Sequence, residues 1–142
     1  MKAVILAAGE GTRIGVLTET RPKCMLYCGG KPLIHHLIVE AKKAGIKEII
    51  VVVKHKKEVI TDYFSKVDLG IPIKFVEQGN NKGTGAALLA AEKEIQDTFV
   101  LIAGDTVTEA SVIKAVMENH DGKITLAIKK VKNPHEYGVV EL

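Results

Sequence analysis

The loop that follows the first apolar run of the chain carries glycines at a spacing suited to phosphate binding. Gly9, Gly11 and Gly15 come shortly after the run 3–7. Glycines in this position let backbone amides approach phosphate oxygens with no Cβ in the way. Arg13 lies in the same loop and adds a positive charge. We therefore predict a phosphate-binding loop with its own cation, and the alternative is a glycine-rich turn that binds no ligand.

This loop differs from both of the common phosphate-binding motifs. The dinucleotide fingerprint needs its third glycine one position before Gly15. A Walker loop needs a Lys-Ser/Thr pair where Val16 follows that glycine. No clear acidic residue closes the second apolar run to bind a ribose. These departures argue against a dinucleotide-dependent oxidoreductase.

Two further side chains have the chemistry to meet a phosphate ligand and its counterion. Lys23 follows Pro22, which stiffens the backbone, and the alternative is a solvated lysine. Asp105 follows Gly104 directly after the apolar run 99–103. Magnesium is commonly held by one or two carboxylates together with substrate phosphates, so Asp105 is a candidate Mg²⁺ ligand. The alternative is an aspartate that caps the next helix or turn.

Alternating apolar and amphipathic segments position these residues. The apolar runs predict strands over residues 3–7, 48–53, 73–76, 99–103 and 124–128. Helices are predicted to begin at Pro32 and stop near Gly45, to include Val59, Ile60 and Phe64, to span 86–95, and to run from a Ser111 cap to Met117. This order predicts an α/β fold, with a Rossmann-like, mostly parallel sheet, helices on both faces, and an incomplete C-terminus. In such a sheet ligands bind beyond the carboxyl ends of the strands, so the loops after 7, 76 and 103 should share one edge.

Length, composition and charge favour a single soluble domain over residues 1–142. A net charge of +3 with 4% aromatic residues gives no sign of a nucleic-acid partner. The first apolar run is too short for a signal peptide or a membrane span. We therefore predict a cytoplasmic protein without nucleic-acid or membrane partners.

Two other clusters have weaker functional interpretations. Cys24 and Cys28 lack a second cysteine pair or matched histidines, which favours free thiols over a zinc site. The cluster 54–57, Lys-His-Lys-Lys, falls at a predicted strand-to-helix loop. We predict a solvated loop there, with a weak role in attracting anions as the alternative.

Several of these motifs together resemble those of the sugar-phosphate nucleotidyltransferases, which make nucleotide sugars from a nucleoside triphosphate and a sugar 1-phosphate. The resemblance rests on Leu-Ala-Ala-Gly-Glu-Gly-Thr-Arg at 6–13, Arg-Pro-Lys at 21–23, Gly-Lys-Pro at 30–32, Glu-Gln at 77–78, Gly-Thr-Gly-Ala at 83–86, Gly-Asp at 104–105 and Tyr-Gly at 137–138. Within the family the chain is similar to enzymes that load N-acetylglucosamine 1-phosphate onto uridine and to glucose-1-phosphate thymidylyltransferases. The resemblance therefore implies UTP or dTTP, a sugar 1-phosphate and Mg²⁺.

The resemblance also implies a role for each matching residue. The catalytic residues would be Arg13, Lys23 and Asp105, with Asp105 as the Mg²⁺ ligand. The nucleotide would be bound by Leu6, Ala7, Ala8, Gly9, Gly11, Thr12, Gln78, Gly83 and Thr84. The sugar would be bound by Gly104, Tyr137 and Gly138. A glutamine amide at 78 offers a donor and acceptors for the edge of uracil or thymine, which argues against cytosine.

The chain departs from the family pattern in two ways. Val16 and Tyr27 stand where family members often have proline. The family domain also continues past Leu142 to supply a second metal ligand and further sugar-binding residues. We therefore expect a truncated domain, with a naturally short relative as the alternative. The resemblance implies that the full-length form is a homo-oligomer. The alternative function is a nucleotide-binding module or an inactive fragment.

Overall fold

The structure, a computed structural model, describes residues 1–9, 11, 15, 17–136 and 138–140. Within these residues the strands are β1 (Lys2–Leu6), β2 (Tyr27–Cys28), β3 (Lys31–Pro32), β4 (Glu48–Val53), β5 (Ile73–Glu77) and β6 (Phe99–Ala103). The helices are α1 (Leu33–Lys43), α2 (Lys57–Lys66), α3 (Thr84–Ala90) and α4 (Ala110–Glu118). Short 3₁₀ turns occupy Lys23–Met25, Glu92–Glu94 and Pro134–Glu136.

The main sheet has the order β5-β4-β1-β6, and its strands are parallel. In register, Val4 of β1 lies between Ile50 of β4 and Leu101 of β6. A strand inside a parallel sheet is covered on both faces, which explains why β1 and β4 are continuous apolar runs. The predicted strands over 3–7, 48–53, 73–76 and 99–103 are confirmed within a residue or two.

Helices cover both faces of the sheet. On one face, Ile5 and Val51 join a core with side chains of α1, α2 and α4. On the opposite face, Val4 and Ile50 pack in a smaller core with Ala87 of α3. Alternate strand residues therefore serve different cores, and the predicted α/β architecture is confirmed.

The strand order reverses at β1. The chain moves from β1 outward through β4 to β5, then crosses back so that β6 pairs with the other edge of β1. In open parallel sheets such a reversal opens a crevice at the carboxyl ends of the strands on either side. The loops after β1 and β6 therefore meet there.

The start and stop signals of α1 are confirmed. Pro32 occupies the N-cap with an extended backbone, and the helix begins at Leu33. Ala44 is the C-cap, and Gly45 follows with φ of 98°, a value that glycine adopts without strain. The buried residues Ile34, Leu37, Ile38 and Ala41 form the apolar face that the spacing predicted.

Two helix boundaries differ from the sequence prediction. The predicted helix 86–95 begins earlier, at Thr84, and ends at Ala90, before the 3₁₀ turn Glu92–Glu94. Ser111 lies inside α4, whose N-cap is Glu109. In its place Glu40 of α1 accepts a hydrogen bond from the Ala110 N–H at 2.9 Å. A cap supplied by another helix leaves no local sequence signal.

The predicted strand over 124–128 is wrong within the residues that the structure describes. Ile124, Leu126 and Ile128 alternate as strand residues do, but they are 57–83% exposed and pair with no strand. A strand needs a ladder partner as well as an alternating pattern. Residues 122–127 are instead separated from β6 by a cavity of about 640 Å³.

In the part of the chain that the structure describes, we find no helix with the length and apolar character needed to cross a bilayer.

Candidate active site

The glycine loop after β1 packs against Thr18. Gly11 has φ of +66°, and a Cβ at this position would lie 3.0 Å from Thr18 Cγ2. The buried Thr18 hydroxyl lies 3.1 Å from the Gly11 carbonyl oxygen and 2.9 Å from that of Gly15. Glycine at position 11 therefore permits both the backbone conformation and the close contact.

A cavity of about 400 Å³ lies between this loop and the loop after β5. It is lined by Leu6, Ala8, Gly9, Gly11, Lys54, Gln78, Lys82, Gly83, Thr84, Ala87 and Ala103. Seven of the residues predicted to bind the nucleotide are among them, and they come from segments more than 60 residues apart in sequence. Parallel pairing brings these strand ends to one edge, as the sequence predicted.

Gln78 is held rigidly in the wall of this cavity. Its side chain is 93% buried, and its backbone N–H donates to the Val53 carbonyl oxygen at 2.8 Å. Its Nε2 group donates to the carbonyl oxygens of Asn81 at 2.8 Å and Gly83 at 3.4 Å. Both hydrogen bonds that the structure describes for this side chain therefore use Nε2.

Gly104 fixes the turn that carries Asp105. Its N–H donates to the Leu6 carbonyl oxygen at 2.8 Å. A Cβ at this position would lie 2.9 Å from the same oxygen and 3.3 Å from atoms of Ala7. The loops after β1 and β6 can approach this closely only because residue 104 is glycine.

Lys23 and Asp105 form an ion pair at this edge. Lys23 Nζ lies 2.5 Å from Asp105 Oδ2, and each side chain is 39% exposed. The 3₁₀ turn Lys23–Met25 begins after Pro22, whose backbone is extended. A Cβ on Gly11 would be 3.3 Å from Lys23 Cβ, so the pair lies beside the glycine loop. A partly exposed pair of this kind adds little to stability.

The two cysteines are free and have different environments. Cys24 is buried beside Lys23, and burial raises the pKa of its thiol to about 12. It therefore stays protonated and unreactive at neutral pH. Cys28 is exposed. Among the described residues, no group of three or more His, Cys, Asp or Glu side chains could hold a metal ion.

The remaining predicted site residues fall into two groups. Thr12, Arg13 and Tyr137 lie outside the described residues. Ala7 donates its N–H to the Val52 carbonyl oxygen and adjoins Gly104 without lining the cavity. Gly138 is exposed and does not line it either. The sugar-binding role of Gly138 stays a prediction.

Sequence reasoning missed Thr18, and it gave the cluster that contains Lys54 and Lys56 only a weak role in attracting anions, as an alternative. Thr18 holds the glycine loop through its hydroxyl. Lys54 lines the cavity, and Lys56 donates to backbone carbonyls of the first loop. The basic cluster 54–57 marked both lysines in the sequence. The solvated loop predicted there does not account for their contacts with other loops. Nothing local to position 18 distinguishes that threonine from other loop threonines.

Comparison with known proteins identifies the family. A family model described as nucleotidyl transferase matches residues 2–142. The chain belongs to this family. The resemblance to the sugar-phosphate nucleotidyltransferases, predicted from the motifs, is confirmed. The glycine loop and the Lys23–Asp105 pair both lie within the matched residues.

Individual relatives of this chain are longer proteins. The chain is 42% identical over 142 residues to the bifunctional protein GlmU of Methanocaldococcus jannaschii, covering 100% of this chain and 33% of GlmU. It is 34% identical over 142 residues to the D-glycero-alpha-D-manno-heptose 1-phosphate guanylyltransferase of Campylobacter jejuni, covering 100% of this chain and 63% of that protein. The chain therefore spans about a third of the length of GlmU.

A solved relative agrees with the fold. The crystal structure of UDP-glucose pyrophosphorylase complexed with UDP-glucose superposes with a TM-score of 0.71 at 30% identity. The match covers 82% of this chain and 52% of that chain. The Rossmann-like sheet of the nucleotidyl transferase chain is therefore confirmed by an experimental relative.

Proposed function

We propose that the protein transfers a nucleotidyl group from UTP or dTTP to a sugar 1-phosphate and releases pyrophosphate. The observation that carries this proposal is the Lys23–Asp105 pair, 2.5 Å apart, beside the cavity between the glycine loop and the Gln78 loop. Two anions must be brought together, so a fixed cation and a carboxylate that can hold Mg²⁺ are the groups required. Membership of the nucleotidyl transferase family supports the same reaction class.

Gln78 supports a preference for uracil or thymine. Because Nε2 donates to the carbonyls of Asn81 and Gly83, we assign Oε1 to the edge of the base. An acceptor at this position fits the N3–H of uracil or thymine. Against cytosine it would face the lone pair of N3, and a buried acceptor left without a donor is costly.

The proposed reaction is an in-line displacement at the α-phosphorus. A phosphate oxygen of the sugar 1-phosphate forms a bond to the α-phosphorus, and the bond between that phosphorus and the oxygen bridging to the β-phosphate breaks. Pyrophosphate leaves with the bridging oxygen. The attacking oxygen is already ionised at neutral pH, so no protein nucleophile or base is needed. Holding both phosphates in line contributes about 7–11 kcal/mol through orientation alone.

Lys23 and Asp105 would divide the electrostatic work. Lys23 would stabilise the charge that develops near the α-phosphorus, and Asp105 fits Mg²⁺ only together with phosphate oxygens, as this metal is usually held. When bound, Mg²⁺ would neutralise part of the phosphate charge. The 2.5 Å contact between the two side chains would be exchanged for contacts with phosphate and cation. Arg13, which the resemblance assigns to the leaving pyrophosphate, keeps that role as a prediction.

The test is pyrophosphate release by the full-length protein from each of the five common nucleoside triphosphates, with Mg²⁺ and a panel of sugar 1-phosphates. We expect turnover with UTP or dTTP. Lys23→Ala should lower kcat on the order of 10²–10³-fold, as for loss of one charge-stabilising donor. Lys114→Ala, on the exposed face of α4, is the matched control and should keep wild-type kcat.

Three outcomes contradict parts of this proposal. A loss below about tenfold in Lys23→Ala would remove Lys23 from the catalytic residues. Nucleotide binding without pyrophosphate release under any condition would favour a nucleotide-binding module. Turnover restricted to CTP or ATP would overturn the role assigned to Gln78.

GTP is a second candidate substrate, favoured by a specific observation. A Gln78 Oε1 acceptor also fits the N1–H of guanine, and the Campylobacter jejuni relative is named as a guanylyltransferase. Turnover with GTP and not with UTP or dTTP would select this candidate. The cavity volume of about 400 Å³ does not separate the two.

A further inference from the structure

The turn between β4 and α2, together with the first residue of α2, reaches across the sheet edge toward the Gln78 loop; these residues, 54–57, are named here the lysine turn. Lys54 Nζ donates to the carbonyl oxygen of Gly79 at 2.7 Å. Gly79 directly follows Gln78, and Lys54 itself lines the cavity. One end of the lysine turn is therefore tied to the wall that carries the predicted base-reading residue.

The same turn reaches the glycine loop in the opposite direction. Lys56 Nζ donates to the carbonyl oxygens of Thr18, at 3.0 Å, and Glu19. The Thr18 hydroxyl in turn contacts the carbonyl oxygens of Gly11 and Gly15. A continuous set of hydrogen bonds thus runs from the lysine turn to the predicted phosphate-binding backbone.

The backbone of Lys56 is unusual. Its φ and ψ are 51° and 40°, and it is the one non-glycine residue with positive φ among those the structure describes. A side chain with a Cβ adopts this conformation at a cost, and such residues concentrate at functional sites. Next to it, Lys57 pairs with Glu77 at the end of β5. The lysine turn is thereby held on both sides of its strained residue.

We propose that Lys54 and Lys56 are positioning residues that set the spacing between the glycine loop and the Gln78 loop, and so the alignment of the triphosphate with its base. This inference rests on the proposed function, since it assigns both loops to one nucleotide. The lysines act through backbone carbonyls and do not touch the reacting atoms. They replace the water that would otherwise solvate carbonyls on two independent loops.

The experiment compares Lys56→Gly, Lys56→Met and Lys54→Met with Lys114→Met in the full-length protein. Lys56→Gly removes the amine and also relieves the positive φ, so the variant folds even if loss of the contacts weakens the turn. We expect both Lys56 variants to lower kcat/KM for the triphosphate at least tenfold, since a misplacement of about 1 Å can cost on the order of 10²-fold. Lys54→Met should raise KM more than it lowers kcat, because its contact lies on the base side.

Lys56→Arg is the rescue variant, since it keeps both the charge and the hydrogen-bond donors. Amide hydrogen exchange should speed up in peptides that contain Thr18 for Lys56→Gly and in peptides that contain Gly79 for Lys54→Met. Lys114→Met should change neither the kinetics nor the exchange at those positions. The hydrogen-exchange measurement does not depend on turnover.

The outcomes separate the two proposals. A wild-type protein without transferase activity contradicts the proposed function. An active wild type with Lys56→Gly within about twofold of its kcat/KM contradicts the positioning role alone. Faster exchange near Thr18 with unchanged kinetics would make the contacts structural, which also overturns the positioning role.

Discussion

At the scale of single residues, the candidate site contains two side chains of opposite charge that neutralise one another. Lys23 and Asp105 are oppositely charged, 2.5 Å apart and partly exposed. Because the pair is partly exposed, the exchange of its contact for contacts with phosphate and a divalent cation, which we propose, would cost little. The closely packed parts of the candidate site are instead the backbone at Gly11 and Gly104 and the buried side chain of Gln78.

The close packing at Gly104 predicts that a larger residue at this position destabilises the fold. Gly104→Ala places a Cβ 2.9 Å from the Leu6 carbonyl oxygen, a backbone atom that cannot rotate away. We expect a loss of about 1–3 kcal/mol in the free energy of unfolding, as for other overpacked sites. Because the displaced turn carries Asp105, kcat should also fall. Urea denaturation and pyrophosphate release measure the two effects.

Gly85→Ala is the control for this prediction. Gly85 lies in α3, and a Cβ there would meet no atom within 4 Å. Alanine should therefore raise helix stability by up to about 1 kcal/mol. Equal effects of the two substitutions on the free energy of unfolding would show that the close approach at Gly104 does not constrain the size of the residue there.

At the scale of secondary-structure elements, the sequence predicted what depends on neighbours along the chain. The apolar run of β1 and the Pro32 and Gly45 signals of α1 were sufficient, because burial and backbone conformation act locally. The Ser111 cap and the strand over 124–128 were wrong for the opposite reason. The start of α4 is capped by Glu40 of a distant helix, and a strand over 124–128 would need a partner strand.

The candidate site, too, was predictable where the signal is local and not where it depends on contacts between distant segments. Residues in motifs, such as Gly11, Gln78 and Asp105, were predicted as site residues because their types and spacing are distinctive. Thr18 was not, and Lys56 was noted only as part of a basic cluster, since the contacts of both appear only when the loops after β1 and β4 meet. Contacts from a side chain to a distant backbone carbonyl leave no pattern in the sequence. The single-domain prediction and the roles of all the predicted site residues, those of Thr12, Arg13 and Tyr137 among them, stay predictions.

The packing of α1 against α2 predicts a dependence of stability on pH. His35 of α1 is 5% exposed, and its Nδ1 lies 2.9 Å from the Tyr63 hydroxyl oxygen of α2. Burial, with smaller contributions from the positive charges of Lys31 and His36, lowers the pKa of His35 from its ordinary value of 6.5. Below that pH the unfolded chain binds a proton that the folded chain does not, so the free energy of unfolding falls as pH drops.

His35→Gln tests this dependence, because glutamine keeps a polar partner for Tyr63 and does not titrate. The free energy of unfolding, measured by urea denaturation from pH 7.5 to 5.5, should fall less steeply for the variant than for the wild type. His36→Gln changes an exposed ring and should retain most of the wild-type slope. Parallel curves for wild type and His35→Gln would contradict the coupling.

At the scale of the whole molecule, the candidate site lies at the edge where the sheet reverses its strand order. The loops after β1, β4, β5 and β6 contribute to it, and the first three are joined by side-chain hydrogen bonds of the lysine turn. A ligand that contacts several of these loops therefore stabilises the whole sheet edge. Binding should be visible as a change in global stability.

We predict that UTP or dTTP with Mg²⁺ raises the thermal midpoint of the protein. Binding to the folded state alone adds about 2.7 kcal/mol at a ligand concentration of 100 times Kd. For a domain of this size that corresponds to roughly 5–10 °C.

Asp105→Asn should lose the part of the shift that depends on Mg²⁺, and Gln78→Ala should reduce discrimination between UTP and CTP. A nicotinamide dinucleotide should give no shift, since the glycine spacing does not match its fingerprint. Equal shifts with all five triphosphates would leave phosphate binding in place and refute the base-reading role of Gln78, because stability would then report the phosphate-binding loop alone.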